Sequence, residues 1–384
     1  MTRVLVATSN PFWQRRRGSQ QRIASLVEGL RSAGFDVEIA FAGRLPQANA
    51  ATVAGGCRVN PLGVDPPNPP FDAPIDAFAS DDVRAAFAEV VRLQAPDVIV
   101  VEYIRLAFLL GGLTADQRRA TTLVLDTHDV IHQRTTSFHA LGLPHWIDIG
   151  REQESRIVDD FDITVAIQEH DGREFDSMSK STAVVVAPYA IEPRAVPRTT
   201  AAPTLGFIGV DGFHNRDALG VIINETWPRV LTACPAARLV VAGDVAHRCP
   251  PTTPHAQAIG VVDDVDAFHA QIDVLINPTR VGGGLKIKNA EALAAGRPVV
   301  TSTLGAQGFE VGSGASVFIT DDPEAFASHA VDLLSDPEAL AHAQAATHDT
   351  VSQHFNPRIA YAGLVDAIER DLAAKRSPAA EAAP

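Results

Sequence analysis

The chain is poor in cysteine, with Cys57, Cys234 and Cys249 the only three in 384 residues. Three thiols cannot all pair, and their spacing fits no zinc signature, so neither a disulfide framework nor a zinc-built fold is expected. A reducing compartment is the simplest setting. Long apolar runs are also missing. The best candidate, Val98 to Leu113, is broken by Glu102 and Arg105 and falls short of the roughly 20 residues a membrane-spanning helix needs. The opening MTRVLVATSN enters a strand-like run directly and lacks the apolar core of a signal peptide. These features lead us to expect a cytoplasmic protein without a membrane span, with peripheral contact at the inner membrane face left open. Basic charge is scarce: 32 Lys and Arg face 46 Asp and Glu, for a net charge of −14. Such a surface repels phosphate backbones, so no nucleic-acid partner is expected. No Gly-x-Gly-x-x-Gly follows the first strand, which argues against a nicotinamide dehydrogenase.

What is present is an ordinary globular composition, 46% hydrophobic and 20% charged, over a length that suits two domains. Short β-branched runs alternate with helical patterns: Val4–Thr8, Val37–Ala42, PDVIVVEY from Pro96, Thr121–Asp126, Asp162–Ile167 and Thr182–Ala187. Continuous apolar strands separated by helices imply a parallel sheet covered on both faces. Proline-rich Ala187–Pro203 interrupts the alternation, which resumes at Leu205 with LGFIGV, then Arg238–Ala242, Asp273–Asn277 and Arg297–Thr301. The expected fold is α/β, with two doubly wound Rossmann-like domains facing a central cleft. The domains would be 1–187 and 204–356, joined by a linker at 188–203. A helix at 357–374, with apolar Ile359, Leu364, Val365 and Ile368, would complete the first domain. Residues 48–74 are expected to be a loop insertion and 375–384 a disordered tail. In doubly wound sheets ligands bind beyond the carboxyl ends of strands, so the loops there carry the candidate chemistry.

The most informative loop is Asn277–Gln307, NPTRVGGGLKIKNAEALAAGRPVVTSTLGAQ. Gly282, Gly283 and Gly284 allow a turn that exposes amide N–H groups, and a helix starts just beyond it. Lys286 sits at that start and Lys288 two residues on, which makes a phosphate site in an acidic protein. Glu291 lies one turn after Lys288, roughly on the same helix face, where it can accept hydrogen bonds from a ribose diol. A surface ion pair beside a plain turn is the bland alternative. Elsewhere, Gly18 and Ser19 stand at a helix N-terminus, Ser19 as its cap, preceded by Arg15, Arg16 and Arg17 and followed by Arg22. Asn215 is a candidate cap for the helix after Gly209, with Arg216 beside it. Gly243 and Asp244 follow LVVA. His128 and Asp129 lie beyond the end of Thr121–Asp126. His128 and His132 have helical spacing but lack a third metal ligand, so no metal site is expected. Asp264 reads as a helix N-cap rather than a metal carboxylate.

The order of these motifs resembles the donor-binding signature of GT-B glycosyltransferases, in particular the retaining group often called group one or family four. The matching elements are Gly282–Gly284, Glu291–Ala294, Gly296–Val300 and Gly305–Gly308, together with Leu285-Lys286-Ile287-Lys288, which recurs in a subset of that family. The resemblance extends through LGFIGV, Trp227-Pro228 and LVVAGD ending at Asp244. Many members carry two glutamates with seven residues between them; Glu291 fits the second, and Gly283 stands where the first would be.

The resemblance implies a transferase that moves a sugar from a nucleotide diphosphate sugar to an acceptor hydroxyl, with retention, without a metal and without a further cofactor. It assigns catalytic roles to His128, Lys286 and Glu291, with His128 contacting the donor sugar. Donor binding falls to Gly209, Asn215, Arg216, Gly243, Asp244, Val262, Gly282, Gly283, Gly284, Leu285 and Lys288, the backbone near Val262 meeting the base. Gly18, Ser19 and Arg22 form a loop for the phosphates or the acceptor. The expected partners are a nucleotide sugar and an acceptor that is anionic, lipid-linked or a small natural product. Two rivals are a GT-B sugar-nucleotide epimerase, for which NPTRVGGG supplies no carboxylate, and a non-catalytic sugar-nucleotide-binding relative.

Overall fold

A computed structural model describes residues 1–45 and 56–377. The chain divides into two compact units, one formed by Met1–Ala190 together with the chain from Ala360 on, the other by Ile191–Ile359. The first unit is built on seven parallel strands: β1 (Arg3–Thr8), β2 (Asp36–Phe41), β3 (Arg58–Pro61), β4 (Val98–Glu102), β5 (Thr122–Asp126), β6 (Ile163–Ala166) and β7 (Ala183–Val186). Their order is β3-β2-β1-β4-β5-β6-β7, so the winding reverses beside β1, between β2 and β4. Val4 and Val6 pack with Ile23, Leu26 and Leu30 of the Gly18–Ser32 helix and with Leu364 and Ile368 near the C-terminus. Leu5 and Ala7 point the other way, toward Phe87 and Val91 of the Asp81–Gln94 helix. Both faces of β1 are thus dry, which is why its sequence reads as an unbroken apolar run.

The second unit repeats the plan with six parallel strands: β8 (Thr204–Ile208), β9 (Arg238–Ala242), β10 (Ala256–Gly260), β11 (Val274–Asn277), β12 (Val299–Thr301) and β13 (Val317–Ile319). The order is β10-β9-β8-β11-β12-β13, with the reversal beside β8. Leu205, Phe207, Trp227, Val241, Ile276 and Phe326 belong to its core. The two sheets are the α/β, doubly wound architecture read from the sequence.

Several local expectations need correction. The strands β3, β10 and β13 are additions to the expected set, all at sheet edges; β3 and β10 keep exposed positions and lose the continuous apolar signal, and β13 is only three residues long. The segment 48–74 is therefore not all loop, since it contains β3; its positions 48–55 lie outside the described residues. Ser19 is not a cap: the first-unit helix begins at Gly18 with Arg17 as N-cap. The helix after β8 begins at Phe213, passes through a π-helical stretch at Ile222–Thr226 and ends as Trp227–Ala233. The C-terminal segment is two helices, Pro357–Ala360 and Ala362–Lys375. Ile359 is 55% exposed and does not join the apolar stripe, whereas Tyr361 is buried. The tail does not begin at 375, because Lys375 bonds Asp162 at 2.6 Å and Arg376 bonds Asp97 at 2.9 Å; residues 378–384 lie outside the described residues. Among the described residues, no helix is long and apolar enough to cross a membrane.

Tyr361 docks on Gly29 so closely that a Cβ at position 29 would stand 2.2 Å from the tyrosine ring. Glycine is needed there for space. Gly29→Ala should displace the ring and destabilise the first unit by about 1–3 kcal/mol, the usual cost of overpacking. Chemical denaturation of the variant beside the parent checks this.

Candidate functional site

In the second unit the site grows from loops that leave parallel strands at their carboxyl ends. After β8 the chain reaches Gly209, and after β9 it reaches Gly243 with φ of +81°. A Cβ on Gly243 would lie 2.2 Å from the Gly209 carbonyl oxygen, so the two loops touch backbone to backbone. The Gly243 amide in turn donates to Gly260 at 2.7 Å, drawing in the end of β10. Asn215 is buried on the helix that follows β8; the N-cap is Gly212, so Asn215 does not cap it. Its amide donates to the Val210 carbonyl at 2.9 Å and its oxygen accepts from Lys288 Nζ at 2.7 Å.

The triple-glycine loop after β11 ends at Lys286, the N-cap of the Ile287–Ala294 helix. Lys286 Nζ donates to the Gly284 carbonyl at 2.7 Å and to that of Gly283 at 3.1 Å. Lys288 Nζ stands 4.5 Å from the centre of the Phe207 ring. Burial, with Lys286 adding like charge, lowers the Lys288 ammonium to about 7. Asn289 braces the loop, accepting from Asn277 at 3.0 Å and donating to the Gly305 carbonyl at 2.9 Å. Glu291 does not share the surroundings of Lys288. Its carboxylate accepts from Arg194 at 2.9 Å, and Arg194 also bonds Asp266 at 2.7 Å. Asp264 caps the Val265–His269 helix, its side chain accepting from the Asp266 amide. Gly209, Asn215, Gly243 and Lys288 are thus brought together, with Gly282, Gly283, Gly284, Leu285 and Lys286 on the adjoining loop. Arg216 is drawn away: it bonds Asp211 at 2.9 Å, and Arg248 meets the same carboxylate at 3.1 Å. Asp244 and Val262 follow β9 and β10 at the same sheet end.

The first unit holds a second cluster, at the carboxyl ends of β4 and β5. Glu102 and Asp126 are register partners that end these strands, and both are buried. Arg22 is fully buried and forks onto Asp126, Nε at 3.1 Å and Nη2 at 3.0 Å, while Nη1 donates to the Pro188 carbonyl at 2.8 Å. Arg22 is therefore not a phosphate-loop cation. Gly18 remains exposed and Ser19 half-buried at the start of its helix. His128, only 6% exposed, places Nε2 2.7 Å from Glu102 Oε2 and 3.5 Å from Asp126. Its ring stacks on Tyr103, with centroids 3.9 Å apart and planes 11° from parallel. His132 is bound elsewhere, to Glu154 at 2.7 Å, so the two histidines do not share a site. Glu102, Asp126 and His128 offer ligand atoms within 4.8 Å of one another. Arg22, however, already supplies a cation to both Asp126 oxygens. Glu102, Tyr103, Asp126 and Arg194 escaped the sequence reading. The available signal was an acid ending an otherwise apolar strand, twice, in VIVVE and TLVLD.

Comparison with known proteins bears on both halves. Residues 17–190 match the family described as glycosyl transferase 4-like domain, and residues 202–336 match glycosyl transferases group 1. No curated protein sequence gives a significant match. Among solved structures, Anabaena HepE in complex with UDP and glucose superposes with a TM-score of 0.69 at 12% identity, covering 96% of this chain and 99% of that one. Sucrose-phosphate synthase from Thermosynechococcus elongatus gives 0.72 at 14%, covering 97% and 100%. A variant of S. aureus TarM with UDP and α-GlcNAc-glycerol gives 0.71 at 6%, covering 96% and 100%. Two glycosyltransferase domains on two doubly wound sheets define the class: the protein is a glycosyltransferase of the GT-B fold.

The state of Lys288 gives a measurable linkage. With its ammonium near 7, the group is mostly neutral at pH 8 and already charged at pH 6. An adjacent anion favours the charged form, so an anion bound at this loop should bring uptake of a proton at pH 8 and not at pH 6. Calorimetry in buffers of different ionisation enthalpy reads this directly. Lys288→Met should abolish the uptake.

Proposed function

We propose that the protein transfers a sugar from a UDP-sugar to an acceptor hydroxyl, as a family-four-type enzyme, with retention of configuration and without a metal ion. The observation that carries this reading is the pair Lys286 and Lys288 at the glycine loop of an acidic protein, Lys286 at a helix start and Lys288 held against Asn215. The presence of UDP in the HepE and TarM structures favours uracil as the base. In the reaction the bond from the anomeric carbon to the donor phosphate breaks, and its electron pair leaves with the nucleoside diphosphate. The acceptor oxygen bonds the same carbon from the same face, and its proton passes to the departing phosphate. Negative charge grows on the phosphate oxygens as this happens. Two ammonium groups and the amides of Gly282, Gly283 and Gly284 stabilise that charge more strongly in the transition state than before it.

Within this reading Gly209, Gly243 and Asn215 shape the diphosphate pocket, and Glu291, held by Arg194, receives the ribose. Leu285 lines the loop, and the backbone near Val262 and Asp244 meets the base. Arg216 serves the donor only after release from Asp211. His128 contacts the sugar, and Gly18 and Ser19 border the acceptor. The exposed Arg16 and Arg17 in the preceding loop suit an acceptor that carries negative charge.

Lys286→Ala should lower kcat roughly 30- to 1000-fold, as loss of about 2–4 kcal/mol of transition-state stabilisation requires. Glu291→Ala should mainly raise the donor KM, because a ribose contact exists before and during reaction. Steady-state kinetics with melting temperatures alongside check both, and parental turnover by Lys286→Ala would move the phosphate site elsewhere.

Since lysines already meet the phosphate charge, activity should persist in EDTA. Loss on chelation with full rescue by magnesium would overturn the charge assignment.

A further inference from the structure

Glu102 has no role in the reading above, yet its surroundings are unusual for a structural acid. It closes β4 within a buried group that contains one guanidinium, Arg22, and two carboxylates, its own and that of Asp126. One oxygen, Oε2, meets His128 Nε2 at 2.7 Å; the other, Oε1, is buried with no hydrogen-bond partner. Burial first, and the Asp126 charge second, push the Glu102 carboxyl up to about 7. With Glu102 ionised, two carboxylates face one guanidinium, an excess of one negative charge that protonation of Glu102 removes.

The backbone around it is constrained as well. Tyr103 and His128 both have positive φ, +69° and +63°, and their rings are stacked. Left-handed conformations at bulky residues persist only where the surroundings hold them, and they gather at working sites. The remaining charged or titratable neighbours are Tyr361, whose hydroxyl is 3.5 Å from Arg22, Arg105, which lies 5.7 Å from the Tyr103 ring centre, and the ion-paired Asp129 and Arg134.

We propose that Glu102 is a positioning residue for sugar transfer, holding His128 by Nε2 and supplying, when ionised, a negative charge behind the sugar contact. This rests on the reading of His128 as the contact for the donor sugar. The sugar ring gains positive charge as the donor bond breaks, and a fixed, unsolvated carboxylate beneath the contact favours that state over the uncharged ground state. Ionisation of Glu102 therefore raises kcat and leaves donor affinity nearly unchanged.

The test compares the parent with Glu102→Gln and His128→Ala between pH 5.5 and 9, following UDP release as the sugar of UDP-glucose, UDP-galactose or UDP-N-acetylglucosamine passes to water, with melting temperatures as a folding control. In the parent, kcat should rise about tenfold from pH 6 to pH 8, the span of one group titrating near neutrality. Glu102→Gln should flatten that rise and lower kcat at pH 8, with donor KM held within about twofold. Nitrogen NMR of histidine-labelled protein adds a readout free of substrate: the signal lost in His128→Ala should report the ionisation of its Glu102 partner in the parent, a response absent from Glu102→Gln. A parental pH profile and an unchanged response of the histidine signal in Glu102→Gln, with His128→Ala impaired, would overturn the proposal alone. Parental kinetics in His128→Ala would overturn the sugar-contact reading beneath it, and a parent that turns over none of the three donors would overturn the donor reading itself.

Discussion

The first unit depends on one ion pair sealed from water, Arg22 with Asp126, both side chains at 0% exposure. A charge in that position is tolerable only when its partner and its remaining donors are satisfied, and here they are: two nitrogens on the carboxylate, one on the Pro188 carbonyl. Removing either partner of such a pair leaves a bare buried charge and costs about 3–5 kcal/mol. The pair therefore fixes the first helix against the end of β5, and the chain leaving the unit at Pro188 against both. Tyr361 lies over the guanidinium at 5.6 Å and bonds Ser25 at 2.8 Å, so the returning C-terminal segment is held by the same residue. The fork on Asp126 also fills the site that its carboxylate, with Glu102 and His128, would otherwise offer to a metal ion.

The second unit handles charge differently. Its cations lie where backbone and amide dipoles hold them without neutralising them, Lys286 on its own loop's carbonyls and Lys288 on Asn215. The opposing carboxylates are occupied by other arginines: Glu291 by Arg194, Asp211 by Arg216 and Arg248, Asp217 by Arg280. Pairing of the nearby acids with arginines leaves the lysine field directed at an incoming anion, in a protein whose net charge is strongly negative.

What the sequence revealed follows from how local each signal is. Buried central strands announce themselves because the interior positions of β1, Val4 to Ala7, and of β11, Val274 to Ile276, are apolar whichever face they meet. The edges β3 and β10 carry exposed positions and vanish into their flanking loops, and β13 is apolar but only three residues long. The glycine loop and its two lysines were legible because turn, helix start and charge sit within a few residues. The arginine ion pair was not, since its partners lie 104 positions apart and each alone looks like a surface residue. Arg194 was hidden for a related reason: it falls in a proline-rich stretch that reads as a linker. Asn215 looked like a cap by type and place, but its side chain spends its oxygen on Lys288, a contact 73 residues away.

The return of the chain from the second unit to the first has a consequence for synthesis. The second unit is contiguous, Ile191 to Ile359, and has all its strands once the ribosome has passed β13. The first unit emerges earlier but is left with an open groove beside Gly29, because Tyr361, Leu364 and Ile368 are made only after the whole second unit. Domains generally fold as units while the chain is being extended. Here the order of completion is reversed: the half that is translated first is finished last. The nascent protein therefore exposes an apolar face around Ile23, Leu26 and Leu30 until the segment from Tyr361 to Ile368 has been made, and it is during that interval that it needs protection from aggregation.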